Sequence, residues 1–537
     1  MDSSGRQCGR FAIRVAQTGN VAAASRMVGQ ARSMVVLGCW RLLTRALVLV
    51  CLLLVPFLGT IFGQTASNPN PLRTIDSALR SRNFEQALAL IQEQLQKTPR
   101  DARLWTLEGI AFAGSGKDKE ALVAYNKALS ISPEFLAALE GAAGLEFKAE
   151  SDRAIPLLNR ILKLRPAEPT THAMLGVMAY KKHDCASAVG HFRQGRPVLA
   201  SQPSALEAFG ACLMEQHQEE EALPVFEQLL AMRTEDAHAR YNLAVVQVTA
   251  KRNREAIETL QPLLAQNDPD PDALDLASAA YEEAGDTPKA VSLLRQAIVA
   301  SPRTARYYVD FAALSYKHES YQVGVDMINV GIKLLPESAS LYIARGILFI
   351  QMGNFESGQM DFETANKLDP GQAAAAVAQG LAQLQQSNLD QALATVEEQL
   401  KTHRQDAFLH YLKAEILTQK GAEVDSPEYG AAVAAAAEAV RLKPDLVLAR
   451  DVLGNLYLKA GQNERAIEQS RLALRDNPSD QVATYHLLQA LRKAKDPRGE
   501  IPGLVKKLAA LREEAQKPDG VGLRYKLYEP GRTQHRQ

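Results

Sequence analysis

Residues 102–133 read ARLWTLEGIAFAGSGKDKEALVAYNKALSISP. Two stretches with helical apolar spacing are split by a glycine-containing turn, GSGKDK. In the second stretch Ala121 and Tyr125 stand four residues apart and share one helix face. The small residue lets the first helix approach closely, and the bulky one fills the space a turn later. Pro133 closes the unit, because proline cannot donate a helical hydrogen bond and biases the residue before it away from helix. The unit therefore reads as helix A, a short turn, helix B and a proline-marked turn.

Outward from this stretch the unit recurs. The small residue of helix B returns as Ala87, Ala121, Ala154, Ala188, Ala222, Ala256, Ala290, Gly324, Gly358, Ala392, Ala432 and Ala466, in steps of 33 or 34 with a single step of 40. In many units a proline follows twelve residues later, as in Pro99, Pro166, Pro302, Pro370 and Pro444, and a bulky residue four later, as in Phe192, Phe226, Leu294 and Phe362. Glycine stands twelve earlier at Gly109, Gly176, Gly210, Gly346, Gly380 and Gly454. One hairpin cannot bury its own apolar face, so the units must stack. A chain of 537 residues also exceeds a single core, and its 46% hydrophobic, 23% charged, aromatic-poor composition suits ordered helix.

The residues Trp105, Gly109, Phe112, Ala121, Tyr125, Ala128 and Pro133 resemble the tetratricopeptide repeat at matching spacing, and the phase holds from about Pro71 to Gln516. The Gly324 unit departs from the residue pattern but keeps the phase. The resemblance implies an all-α fold, a right-handed α-solenoid superhelix of about twelve tandem helix-turn-helix repeats, and use as a protein-interaction scaffold of the exported bacterial type. The expected organisation is 1–66 as signal peptide or membrane anchor, 68–516 as solenoid with a C-terminal capping helix at Ile501 to Gln516, and 517–537 as a mobile tail.

The N-terminal assignment rests on Ala46 to Phe62, ALVLVCLLLVPFLGTIF, an uncharged apolar run of 17 residues behind Arg41 and Arg45 and ahead of small polar residues. Positive flank, apolar run and small-residue exit make a signal peptide cleaved after Gly63 or Ala66, or an uncleaved anchor that attaches the chain to a membrane through residues 46–62. Either places the body outside the cytoplasm, periplasmic or secreted. Residues before about 33 make a long leading region, and Met27 or Met34 would give a more ordinary start.

Lys plus Arg equals Asp plus Glu at 61 each, so no net field draws the chain to nucleic acid. In the body, Cys185 and Cys212 read as buried small apolar residues rather than a disulfide. The 40-residue step places six extra residues in the turn between Gln419 and Pro427. Pro156, Pro224 and Pro288 fall in first helical turns, whereas Pro262 should kink its helix.

Reaction chemistry is not legible. Gly114-Ser115-Gly116-Lys117 lacks the first glycine and the Ser/Thr of a phosphate loop. The histidines are scattered, and His183, Cys185 and His191 lack a fourth ligand. The expectation is a non-enzyme with no cofactor and no metal, whose partners are other proteins or peptides.

In the family helix A lines the concave face. Its inward positions here carry Tyr180, Tyr241, Tyr316, Tyr411 and Tyr485 among Val245, Val309, Ile343, Ile347, Val377, Leu381 and Leu384, with Asn242 and Asn455 also on helix A. Tyrosine offers contact area with a polar handle, and asparagine can hold a peptide backbone. These residues form the candidate partner-binding groove, the alternative being that they simply pack helix A on its neighbours. Chaperone-binding members capture a carboxylate with Lys and Arg around such an asparagine. Asn242 instead has Glu207, Asp272 and Asp275 on neighbouring helices, which suggests a basic segment.

Overall fold

The computed structural model describes residues 71–371, 373–495 and 499–516. The expected signal or anchor segment 1–66 and the expected mobile tail 517–537 lie outside the described residues. Twenty-six α-helices run from Pro71–Arg80 to Ile501–Gln516, with no strand among the described residues. They alternate as helix A and helix B, and two compact units divide at Asn267. Residues 71–266 hold six hairpins, and residues 267–516 hold six more plus a terminal pair, Gln481–Lys493 with Ile501–Gln516. Within each unit, helix B of one repeat packs on helix A of the next. The protein is an all-α solenoid.

The period seen in the sequence is a packing period. All ten alanines of the helix-B series are 0% exposed, and Gly324 and Gly358 are buried. The glycine twelve residues earlier makes room for the bulky residue of helix B. A Cβ built on Gly109 would lie 2.6 Å from the Tyr125 ring, one on Gly176 2.7 Å from Phe192, and one on Gly346 2.6 Å from Phe362. Such contacts are closer than van der Waals packing tolerates.

Each hairpin turn needs one left-handed residue. Five residues before the small residue of helix B, φ is positive at Arg82, Gly116, His183, His217, Lys251, Gly285, Glu319, Gly353, Ser387 and Gly461. Six of these ten positions lack glycine, so composition alone does not reveal them.

The turns from helix B to the next helix A are closed by a second recurrent device, whether or not they hold the proline. A side chain in the first turn of helix A donates to the carbonyl six residues before it: Trp105 to Pro99 at 2.9 Å, Arg240 to Thr234 at 2.9 Å, Tyr308 to Pro302 at 2.9 Å and Arg450 to Pro444 at 2.8 Å. His172 and His410 bond the Pro166 and Arg404 carbonyls at 2.9 Å each, which requires their Nε2 to carry the proton. The tryptophan of the repeat pattern is thus one of several residues able to close the turn.

Three expectations need correction. Cys185 and Cys212 form a disulfide, with Cα atoms 4.9 Å apart. Cys185 opens helix B of the Ala188 repeat and Cys212 lies on helix A of the next, two surfaces that stacking presses together. Pro224 is the sixth residue of Glu219–Met232, beyond the first turn. Pro262 lies inside Asn253–Leu264, in its last turn. The six extra residues are shared: the turn spans 420–426, and Pro427–Leu442 places Ala432 two residues deeper than Ala121 lies in Asp118–Ile131.

Candidate functional site

The A helices place the seven candidate residues in different environments. In the 71–266 unit, Tyr180 lies on Pro169–Lys181 and is only 4% exposed, packed in the cluster of Phe192, Leu206 and Phe209. Tyr241 and Asn242 lie on Ala237–Thr249, both half-buried. The Asn242 Oδ1 is enclosed with no hydrogen-bond partner among the described residues. In the 267–516 unit, Tyr316 and Tyr411 are buried, Asn455 is half-buried and Tyr485 is 42% exposed. Val309, Ile343, Ile347, Val377, Leu381 and Leu384 are all buried, while Val245 is half-buried. The accessible members are therefore Tyr241, Asn242, Asn455 and Tyr485.

The three acids that the sequence sets on helices flanking that of Asn242 each have a basic partner within their own unit. Glu207 accepts from Arg233 at 2.8 Å, and burial raises its carboxyl pKa while Arg233 lowers it. Asp275 pairs with Arg306 at 3.2 Å, and Asp272 takes a bond from the Tyr307 hydroxyl at 2.6 Å as well as from Arg306. Burial pushes Asp275 up to about 6 against the pull of Arg306. These acids carry their own counter-ions, which removes the basis for assigning them to a basic segment.

Two further polar centres brace the 267–516 unit. Arg345 makes a bidentate pair with buried Asp361 at 2.8 and 2.7 Å and bonds Asn329 at 2.6 Å. Its guanidinium also lies over the Tyr342 and Phe349 rings, 5.5 and 5.7 Å from their centroids. Glu282 accepts from Thr287 at 2.8 Å and pairs with Lys317 at 2.8 Å and His318 at 2.9 Å. Burial raises this carboxyl, but the three partners outweigh it and hold the pKa below its ordinary value.

Asp451, on Val447–Lys459, escaped the sequence reading. It is 7% exposed, and its Oδ1 is enclosed with no hydrogen-bond partner among the described residues. Burial, reinforced by the charges of Asp480 and Glu415, pushes its carboxyl up to about 8. A signal was present: Val309, Ile343, Val377, Tyr411, Asp451 and Tyr485 share one repeat register, and Asp451 puts an acid in a run of apolar and aromatic residues.

Among the described residues no three His, Cys, Asp or Glu side chains are grouped to hold a metal ion. His191 lies with its Nδ1 3.1 Å from the Nδ1 of His172, and His183 occupies a left-handed turn.

This geometry defines a repeat protein of stacked helix hairpins. Sequence profiles of the tetratricopeptide repeat match residues 72–134, 213–280, 343–407 and 452–516, and the chain is a tetratricopeptide-repeat protein. It is 33% identical over 96 residues to Superkiller protein 3 of Schizosaccharomyces pombe, covering 17% of this chain and 7% of that protein. It is 29% identical over 174 residues to the cytochrome c-type biogenesis protein CycH of Pseudomonas aeruginosa, covering 31% of this chain and 42% of that protein. The matched segments thus span less than half of either curated relative. Among solved structures, yeast Tom70 aligns over 83% of this chain and 95% of its own, with 15% identity and a TM-score of 0.39.

Proposed function

We propose that this chain is an exported, non-catalytic scaffold that binds proteins or peptide segments on the accessible parts of its A helices, within an extracytoplasmic complex. The observation that carries the proposal is the run of twelve hairpins, an architecture that extends contact surface with each added repeat. Its partners are proteins rather than nucleic acid, in keeping with the balanced charge. Export is supported by the apolar run 46–62 behind Arg41 and Arg45 and by the Cys185–Cys212 bond, since disulfides persist mainly in oxidising compartments. A second reading, an accessory subunit that recruits substrate for a separate enzyme or assembly machinery, is favoured by the similarity to a biogenesis protein.

Thiol blocking of intact cells before lysis tests the compartment: non-reducing peptide mass spectrometry should recover Cys185 linked to Cys212. Protease added outside the cytoplasmic membrane should cleave the repeats. Free thiols in a protease-protected cytoplasmic protein with residues 46–62 intact would overturn export. Cross-linking mass spectrometry tests the scaffold. Replacing Tyr241, Asn242, Asn455 and Tyr485 by Ala should weaken partner cross-links while helicity persists, and unchanged cross-links would exclude these faces.

A further inference from the structure

The chain contains a filled version of the slot around Asp451. Asp275 occupies the fifth position of helix A in Pro271–Glu283, and Arg306, the second residue of the next helix A, reaches back to it at 3.2 Å. Asp451 occupies the same fifth position in Val447–Lys459, and the second residue of the next helix A, Gln481–Lys493, is Val482. Where the first acid has a guanidinium from its own chain, the second has an isopropyl group, itself 40% exposed. The neighbouring charges supply no substitute. Glu415 from the preceding helix A and Asp480 from the turn before the next are both acidic. Arg450, adjacent in sequence, is committed to the Pro444 carbonyl at 2.8 Å and to Gln469 at 2.9 Å, with Asp476 at 4.0 Å.

From this geometry we infer that Asp451 anchors an arginine or lysine side chain from an extended segment of a partner protein, entering beside Val482 and Tyr485 into the place that Arg306 fills next to Asp275. The surroundings suit such a ligand. Glu415 and Asp480 add negative potential, Asn455 stands one turn from Asp451 for the segment's backbone, and the exposed Tyr485 offers a ring for its aliphatic stem. The inference rests on the scaffold reading and names the chemistry of the ligand at one part of that surface.

The test uses the full chain and fluorescein-labelled Gly-Ser-Ala-Ala-Xaa-Ala-Ala-Ser-Gly peptides with arginine, lysine or norleucine at Xaa, followed by anisotropy. The arginine or lysine peptide should bind about tenfold or more tighter than the norleucine peptide, as expected for a charge-assisted hydrogen bond. Affinity should rise between pH 6 and pH 9, because a bound cation needs the carboxylate form of Asp451. Asp451→Asn, which keeps the shape, should abolish the preference without lowering the melting temperature. Val482→Arg should supply the missing partner internally and block the peptide while the fold persists. Equal binding of all three peptides, no binding of any, or full binding by either variant would overturn the inference. Equal binding that survives Asp451→Asn would leave the scaffold reading standing, so the two failures are distinguishable. A large gain in affinity from the double change Arg524→Ala and Lys526→Ala would also overturn it, by showing that the chain's own tail fills the slot.

Discussion

In residues 71–266 helix A meets helix B through rings laid on glycine, Tyr125 on Gly109, Phe192 on Gly176 and Phe226 on Gly210, and a disulfide joins the Ala188 repeat to the next. In residues 267–516 Phe362 on Gly346 repeats the ring contact, but the same hairpin also buries the bidentate Arg345–Asp361 pair, and Glu282 gathers three partners. One backbone period is therefore met by two side-chain strategies. Apolar packing tolerates loss gradually, whereas a buried ion pair becomes a liability as soon as one member is removed. The two units should differ most in their response to single substitutions.

The largest expected effect is Asp361→Ala, which strands Arg345 beside a cavity. It should cost about 3–5 kcal/mol, seen as early loss of amide protection in 339–368 during native-state hydrogen exchange in urea. Survival of that protection would remove the contrast between the units. Next comes the double change Cys185→Ala and Cys212→Ala, expected to cost about 3.5 kcal/mol for a loop of this length. Reduction of the parent protein should reproduce the loss around residues 185–212. Gly176→Ala should cost about 1–3 kcal/mol through overpacking against Phe192. Much of that should return in Gly176→Ala combined with Phe192→Leu, because the two residues share one space. Additive losses would mean that glycine serves another purpose there. The smallest effect has the opposite sign: His217→Gly should stabilise by up to about 1 kcal/mol, since His217 holds a left-handed turn conformation that glycine adopts freely. Thermal unfolding followed by circular dichroism would measure it.

The fold was legible because stacking imposes a near-constant spacing on small residues, and Ala87 through Ala466 keep it, apart from the one 40-residue step, however much other positions drift. The turn-closing donors were not legible as a set, because Trp, His, Arg and Tyr all reach the same carbonyl and the common property is a donor group rather than a residue type. The disulfide was missed because neither cysteine lies in a spacing motif. Their proximity follows from the packing of helix B on the next helix A. The candidate groove was only partly legible. Repeat phase identifies which residues sit on helix A, but the neighbouring A helices determine how deeply each is covered, so Tyr180, Tyr316 and Tyr411 are buried while Tyr485 is not. Asp451 needed the register and the burial together, since an acid is unremarkable in sequence until its counter-ion proves to be a valine.

The disulfide also sets a mechanical limit. Pulled from its two ends, a stack of hairpins lengthens as successive hairpins peel away, each releasing its folded chain to the applied force. Cys185 and Cys212, 27 residues apart, close a loop that carries no tension while the bond lasts. That loop withholds roughly 90 Å of extended chain at about 3.3–3.6 Å per residue. Stretching single molecules with and without reductant would show the difference as a longer final contour length, independent of how strongly any repeat is folded.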